Sequence, residues 1–132
     1  IGGTTAADRN LISGNNDDGI QLFGDNNTVL GNYIGTNVTG TGKIGNDFPG
    51  VAIANGATNN LIGGTAAGEG NLISGNNNQG NLNLTADNVQ VANNVIGLGS
   101  GGAAWAEAVG ASTNFLGTDA TVSTGVAPGL TY

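Results

Sequence analysis

Two adjacent carboxylates, Asp17 and Asp18, are the residues of this chain whose types and spacing most directly suggest chemistry. Paired carboxylates can divide the acid and base steps of a hydrolysis, or they can bind Ca²⁺. The sequence around this pair returns later in the chain, and the matching positions there carry Asn78 and Gln79 instead. Because the pair is not repeated, we expect a solvated corner at Asp17 and Asp18, with a Ca²⁺ site or a catalytic site as the alternative.

Trp105 and Glu107 form the second candidate, a ligand site. Sugar-binding clefts usually need an exposed aromatic ring as a platform, and Trp105 beside Glu107 is the best pair for that role. The competing interpretation is that Trp105 shields the core where residues 98–109 fold over the edge of the structure. We favour the shielding role.

The composition narrows the function classes. The 132 residues include no His and no Cys, which removes the usual general base, the commonest metal ligand and all thiolate chemistry. Two cations oppose nine carboxylates, for a formal net charge of −7, so binding of nucleic-acid phosphates is not expected. No stretch approaches the roughly 20 apolar residues that cross a bilayer. We therefore predict no cofactor, no nucleic-acid partner and no membrane insertion.

An internal repeat organises the elements that must position these residues. Residues 1–19 return at 62–80 with 13 of 19 positions identical. A shorter period of about 30 residues lies inside the long one, because the same apolar pattern follows Gly19, Gly50 and Gly80. Repeats of this kind indicate a solenoid, in which each unit is stacked on the next.

Short apolar alternations bounded by Gly and Asn predict the local structure. Both residue types tolerate the positive φ of sharp corners, so each unit is read as three short strands and three corners. The best helical composition, at 103–109, aligns with the non-helical segment 42–49, and we expect no helix there. The prediction is an all-β, right-handed parallel β-helix, a single domain over 1–132. Its parts are a partial coil at 1–18, full coils at 19–49, 50–79 and 80–109, and a partial coil with a C-terminal cap at 110–132.

Stacking of the coils predicts the core and the corners. Equivalent aliphatic residues should form inward columns, and equivalent Asn side chains should form amide ladders between coils. The predicted columns are Ile20 with Val51 and Leu82, Val29 with Ile62 and Val91, and Ile12 with Ile44 and Ile73. The predicted corner pairs are Asn15 with Asn76 and Asn32 with Asn94.

The residues resemble a known group of proteins. The patterns Gly-Ile-Gln-Leu at 19–22 and Asn-Thr-Val-Leu-Gly-Asn-Tyr-Ile-Gly at 27–35 resemble right-handed parallel β-helix repeats. Residues 71–76 and 31–36 resemble the Asn/Gly-rich arrays of large secreted and cell-surface bacterial proteins. The resemblance implies the handedness and a secreted or cell-surface location. The same superfold includes pectate lyases and polygalacturonases, but this chain has no His, and its two cations, Arg9 and Lys43, lie on different coils.

We therefore expect a non-catalytic structural segment, such as a scaffold, an adhesin stalk or a fibre subunit. No cap precedes the first strand, so its edge is expected to pair with flanking coils of a longer protein or head-to-tail with another copy. The alternative is a polysaccharide-binding or polysaccharide-cleaving β-helix, for which a neutral glycan suits the acidic chain best. A third hypothesis is ice binding by a column of Thr4, Thr36, Thr65 and Thr118.

Overall fold

A computed structural model describes residues 1–54, 56–77, 82–84, 90–92, 94–96, 106–108, 115–116 and 121–122. These residues contain strands and no helix, which confirms the all-β prediction. Ala106–Ala108, inside the segment with the best helical composition, is a strand. Within the described part of the chain, no helix is long and apolar enough to span a membrane.

The strands are two or three residues long and are separated by Gly and Asn. Asn26 and Asn59 have φ of 60° and 57°, in the left-handed region that Asn tolerates at corners. The thirteen described strands are β1 Leu11–Ile12, β2 Ile20–Leu22, β3 Thr28–Val29, β4 Tyr33–Ile34, β5 Val51–Ile53, β6 Leu61–Gly63, β7 Leu72–Ile73, β8 Leu82–Leu84, β9 Gln90–Ala92, β10 Val95–Ile96, β11 Ala106–Ala108, β12 Phe115–Leu116 and β13 Thr121–Val122.

These strands form three parallel sheets, and each sheet takes every third strand of the chain. Sheet 1 has the order β1-β4-β7-β10-β13, sheet 2 has β2-β5-β8-β11 and sheet 3 has β3-β6-β9-β12. The chain therefore visits the sheets in the same sequence each time. We call one visit to all three sheets a layer: layer 1 is residues 10–29, layer 2 is 32–63, layer 3 is 71–92 and layer 4 is 94–116.

The core lies on the inner sides of the three sheets. In sheet 2, Ile20 is in register with Val51 and Val51 with Leu82. In sheet 3, Val29, Ile62 and Val91 are successive register partners. Seven Val and Ile side chains of the described residues are at most 1% exposed: Val29, Ile34, Val51, Ile53, Ile62, Ile73 and Val91. Burial of such aliphatic side chains stabilises a fold by about 1.5–3 kcal/mol each, and here successive layers supply it.

The predicted column of Ile12, Ile44 and Ile73 is wrong at its middle position. Ile34 pairs with Ile12 on one side and with Ile73 on the other, whereas Ile44 is 48% exposed. The reason is the length of the connections, because 16 residues join β4 to β5 and 7 join β1 to β2. Ile44 lies in the longer connection, where its N–H donates to the carbonyl of Gly35 at 3.0 Å.

Candidate functional site

The principal polar feature of the molecule is a ladder of Asn side chains that precedes the strands of sheet 1. Asn10, Asn32, Asn71 and Asn94 occupy equivalent positions in layers 1 to 4. In each of the three steps, the backbone N–H and the Nδ2 of one Asn both donate to the Oδ1 of the Asn in the next layer. The six distances lie between 2.9 and 3.1 Å. The ladder therefore has a direction, with every Oδ1 facing the preceding layer.

Two further ladders follow the same rule. After sheet 1, Asn15 donates to Asn46 and Asn46 donates to Asn76, with Nδ2 to Oδ1 distances of 2.8 and 2.7 Å. Before sheet 3, Asn27 donates to the Oδ1 of Asn60 through its N–H at 2.8 Å and its Nδ2 at 3.1 Å. The corners of layers 1 to 3 are thus joined by side-chain amides as well as by strand pairing.

The inner Asn residues also donate to backbone carbonyls of residues earlier in the chain, which satisfies their second amide hydrogen. Asn32, Asn46, Asn76 and Asn94 are completely buried, and Asn71 is 1% exposed. A buried amide without partners would be strongly destabilising, so these contacts allow the corners to be closed to water. The Nδ2 contacts are Asn32 to Ile1, Asn71 to Val29, Asn94 to Ile62, Asn46 to Ile12 and Asn76 to Ile34, at 2.8 to 3.2 Å.

The predicted corner pairs are each interrupted by one further Asn. Asn46 lies between Asn15 and Asn76, and Asn71 lies between Asn32 and Asn94. The 30-residue count missed these members because the connections between strands differ in length. A signal was present nevertheless, since Asn15, Asn46 and Asn76 each follow a Gly directly.

Gly35 shows why a Gly accompanies the ladder. Its φ is +89°, a conformation that residues with a Cβ rarely adopt. A Cβ at this position would also overlap the carbonyl oxygen of Ser74 and the carboxamide of Asn76. The close approach of the two layers at this corner therefore requires Gly.

Asn60 ends the ladder before sheet 3. It is 1% exposed, its Oδ1 accepts from Asn27, and its Nδ2 has no hydrogen-bond partner. Leu61 is in register with Gln90, and the residue before Gln90 in the sequence is Val89, which has no side-chain acceptor.

Asp17 and Asp18 lie in the connection between β1 and β2, where Asp17 is exposed and Asp18 is half-buried. The N–H of Asp18 donates to Oδ1 of Asp17 at 2.9 Å, so the two residues form a local cap. Partial burial, and secondarily the charge of Asp17, raise the pKa of the Asp18 carboxyl. Among the described residues, no three acidic, His or Cys side chains gather where they could hold a metal ion.

The second predicted pair is only partly placed. Trp105 lies outside the described residues. Glu107 is in β11, where its backbone is in register with Asn83 of β8. The structure thus places Glu107 on sheet 2, and the prediction of a ligand site at Trp105 and Glu107 stays a prediction.

The predicted Thr column is not formed. Thr36 follows β4 of sheet 1 and is 4% exposed, with its hydroxyl donating to the carbonyl of Asn37 at 3.1 Å. Thr4 and Thr65 are exposed, but they follow the strand positions of sheet 3. Thr118 lies outside the described residues. The three described Thr residues therefore lie at two different corners, and one of them is buried.

The outer side of sheet 1 carries an apolar stripe of three register partners, Leu11, Tyr33 and Leu72. The guanidinium of Arg9 lies 4.1 Å from the centroid of the Tyr33 ring, and its Nε donates to the carbonyl of Gly31 at 3.3 Å. This cation–π contact covers one face of Tyr33.

A short loop after β4 folds over the same stripe and forms a cleft. Thr36 and Lys43 pair as an antiparallel bridge, and Oδ1 of Asn37 accepts from the loop residues Thr41 and Gly42 at 3.0 and 3.1 Å. The cleft has a volume of about 260 Å³. Its lining is mostly hydroxyl groups and backbone, together with one cation and one aliphatic side chain: Thr36, Gly40, Thr41, Gly42, Lys43, Leu72, Ser74 and Gly75.

A comparison of the chain with known protein families, with curated proteins and with solved structures finds no match. The assignment of a function therefore depends on the layers, the ladders and the cleft.

Proposed function

We propose that the chain is a structural segment of a right-handed parallel β-helix, and that its role is to act as a stiff, non-catalytic scaffold. The return of every third strand to the same sheet, in parallel, supports the solenoid architecture. Right-handedness follows from the general preference of parallel β connections. Each layer is then one coil, and coils extend the structure along a single axis.

The observation that carries this role is the use of the repeated residues. The strongest repeat, residues 10–16 and 71–77, supplies contacts between layers: the Asn ladders, the aliphatic column of sheet 1 and the strand pairs. Residues repeated for catalysis or ligand binding would instead converge on one outer surface. The whole chain also lacks His and Cys, the residues most often used as catalytic base and thiol nucleophile.

By the resemblance to Asn/Gly-rich β-helix arrays, we place this scaffold in a secreted or cell-surface protein, as a stalk or as a fibre subunit. Both forms require a body that resists proteolysis. Digestion with a broad-specificity protease tests the role. We expect residues 10–77 to outlast a urea-unfolded sample by orders of magnitude, and Asn71→Ala to shorten that lifetime.

Asn16→Ala is the matched control, because Asn16 is exposed whereas Asn71 is buried. It should leave the lifetime unchanged. Cleavage of the native chain throughout 10–77 at the rate of the unfolded sample would contradict the scaffold role. Electron microscopy at high concentration separates the two forms, because filaments indicate a fibre subunit and monomers alone remove that form.

Glycan binding is the second candidate, and the cleft beside Lys43 is the observation that favours it. Its hydroxyl groups and Lys43 can donate hydrogen bonds to a sugar, and the net charge of −7 on the chain disfavours a polyanion. A glycan array tests this function. Binding that is lost in Lys43→Ala and kept in Arg9→Ala would support it, and an array without signal would remove it.

A further inference from the structure

The outer face of layer 1 presents the same groups as the face with which layer 3 binds layer 2. Residues 10–16 and 71–77 are identical in sequence. In the second copy, five groups of this run are bonded to layer 2. Three N–H groups donate, from Leu72 to Asn32 at 2.8 Å, from Ser74 to Ile34 at 3.0 Å and from Asn77 to Asn46 at 2.9 Å. Two Oδ1 atoms accept, Asn71 from Asn32 and Asn76 from Asn46.

The first copy holds the equivalent groups on its outer side. The carbonyls of Asn10 and Ile12 accept from layer 2. Because successive residues of a strand point to opposite sides, the N–H groups of Leu11 and Ser13 face away from layer 2. The Oδ1 atoms of Asn10 and Asn15 face the same way, since each ladder Oδ1 faces the preceding layer.

Exposure of the first copy matches this arrangement. Leu11 is 48% exposed, and Asn10 and Asn15 are exposed, whereas Asn71 and Asn76 are at most 1% exposed. No described strand pairs with the outer side of β1 or β2. We call the face formed by residues 10–16 the leading face.

Sheet 3 already contains the end of a strand beyond the leading face. Gly2 pairs in parallel with Leu30, the carbonyl of Ile1 accepts from Leu30 N–H at 2.9 Å, and Gly3 N–H donates to the carbonyl of Leu30 at 3.1 Å. Ile1 and Gly2 correspond to Ile62 and Gly63 in the long repeat, and those residues end β6 of layer 2. Sheet 3 is therefore extended by one bridge beyond β3, whereas no described strand pairs with the outer side of β1 or β2.

We propose that the leading face is a docking surface for a coil with the chemistry of residues 31–61 of this chain. Such a coil supplies the carbonyls that Asn32, Ile34 and Asn46 supply within the molecule, and the two Asn donors that the ladders require. The parallel register and the direction of the ladders admit it in one orientation only. This inference deepens the scaffold role and rests on the stacking proposed above.

The test is an extended chain, in which residues 31–61 are added directly before Ile1. Leu61 of the added segment then precedes Ile1 as Leu61 precedes Ile62 within the chain. Residue-resolved hydrogen exchange by NMR is measured with and without the extension. We expect exchange at Leu11 and Ser13 N–H to slow at least about tenfold and to approach the rates of Leu72 and Ser74.

Two variants of the added segment serve as controls. Asn32→Ala in the added segment removes the Nδ2 donor to Oδ1 of Asn10, leaves only the backbone N–H donor, and should clearly reduce the added protection. Val38→Ser in the added segment should leave it intact, because Val38 is 74% exposed in the chain. Unchanged rates at Leu11 and Ser13 in the extended chain would overturn the proposal.

A peptide of residues 31–61, added to the unextended protein, keeps the test decisive if the extended chain does not fold. Chemical-shift changes that are confined to the leading face, and that are weaker with the Asn32→Ala peptide, support docking. No change, or an equal change with both peptides, overturns it.

Failure of docking and failure of the scaffold role are distinguishable. If stacking itself is wrong, Leu72 and Ser74 exchange as fast as Leu11 and Ser13 in the unextended chain, whereas if docking alone is wrong, only Leu11 and Ser13 remain fast.

Discussion

The two copies of the run Asn-Leu-Ile-Ser-Gly-Asn-Asn have the same sequence and different surroundings. At 71–77 the run lies between two layers, with Asn71 1% exposed and Ile73 completely buried. At 10–16 no described strand pairs with one side of the run, Asn10 is exposed and Ile12 is half-buried. Identical residues thus differ in burial because of their neighbours alone. Layer-to-layer contact, rather than local sequence, provides the stabilisation of this fold.

The difference in burial between the two copies should have its largest effect on the free energy of unfolding in the aliphatic column of sheet 1. Ile73→Ala should lower the free energy of unfolding by about 2–5 kcal/mol, because it leaves a cavity between layers. Ile12→Ala should cost about 1–2 kcal/mol, since Ile12 is already partly in contact with water. Urea unfolding of both variants measures the difference, and equal losses would show that the two copies are equally packed.

The Asn ladder should give the next largest difference. Asn71→Ala removes the acceptor of two hydrogen bonds from Asn32 and leaves buried donors without a partner, at a cost of about 1–3 kcal/mol. Asn10→Ala removes the Nδ2 donor of an exposed residue, while its backbone N–H still donates to Oδ1 of Asn32, and should cost about 1 kcal/mol or less. Thermal unfolding compares them, and a larger loss at Asn10 would contradict the ladder's dependence on burial.

Gly35 and Gly56 test the close approach of layers at a corner. Both have positive φ, at 89° and 93°, but only Gly35 lies against another layer, and a Cβ on Gly56 would meet nothing within 4 Å. Gly56→Ala should cost about 1–2 kcal/mol, from backbone strain. Gly35→Ala should cost more, because the Cβ would also displace the Asn76 carboxamide. Similar unfolding midpoints for the two variants would argue against tight stacking.

The smallest effect is expected at Asp18, whose counterpart in the second copy is Gln79. The pKa of Asp18 is raised in the folded chain, so stability falls as pH rises through that pKa. Asp18→Asn should therefore stabilise the protein at pH 7, by less than about 1 kcal/mol, because Asp18 is only partly buried and solvent screens its charge. The gain should vanish in acid, where the carboxyl is protonated in both states. Unfolding followed from pH 7 to pH 3 checks the sign, and a gain that grows in acid would contradict it.

The sequence predicted features that depend on residue type and could not predict those that depend on connection length. Gly-bounded alternation placed Val29, Ile62 and Val91 in one column, and they are register partners. The same spacing predicted Ile44 for the inward column of sheet 1, but Ile44 lies in the longer connection between β4 and β5 and is exposed. The sequence prediction assigned side chains to layers at a fixed residue spacing. In the structure, the strand pairing decides which layer a residue belongs to, and the connections between strands differ in length.

In the candidate site, too, residue types were predictable from the sequence and the effects of connection length were not. An Asn ladder was predictable from repeated Asn at corners, but its full membership required the register of the strands. Asn46 enters the ladder only because the loop from 35 to 45 folds outward and returns the chain to the corner. The cleft beside Lys43 was not predictable at all, since it is formed by that loop against β7, on the next layer.

The central claim, that neighbouring layers supply the burial and the hydrogen bonds, is tested most directly by hydrogen exchange of the unmodified chain. The two copies provide an internal comparison with identical side chains. We predict that Leu72 and Ser74 N–H exchange at least about tenfold more slowly than Leu11 and Ser13 N–H. Equal exchange rates in the two copies would contradict the account.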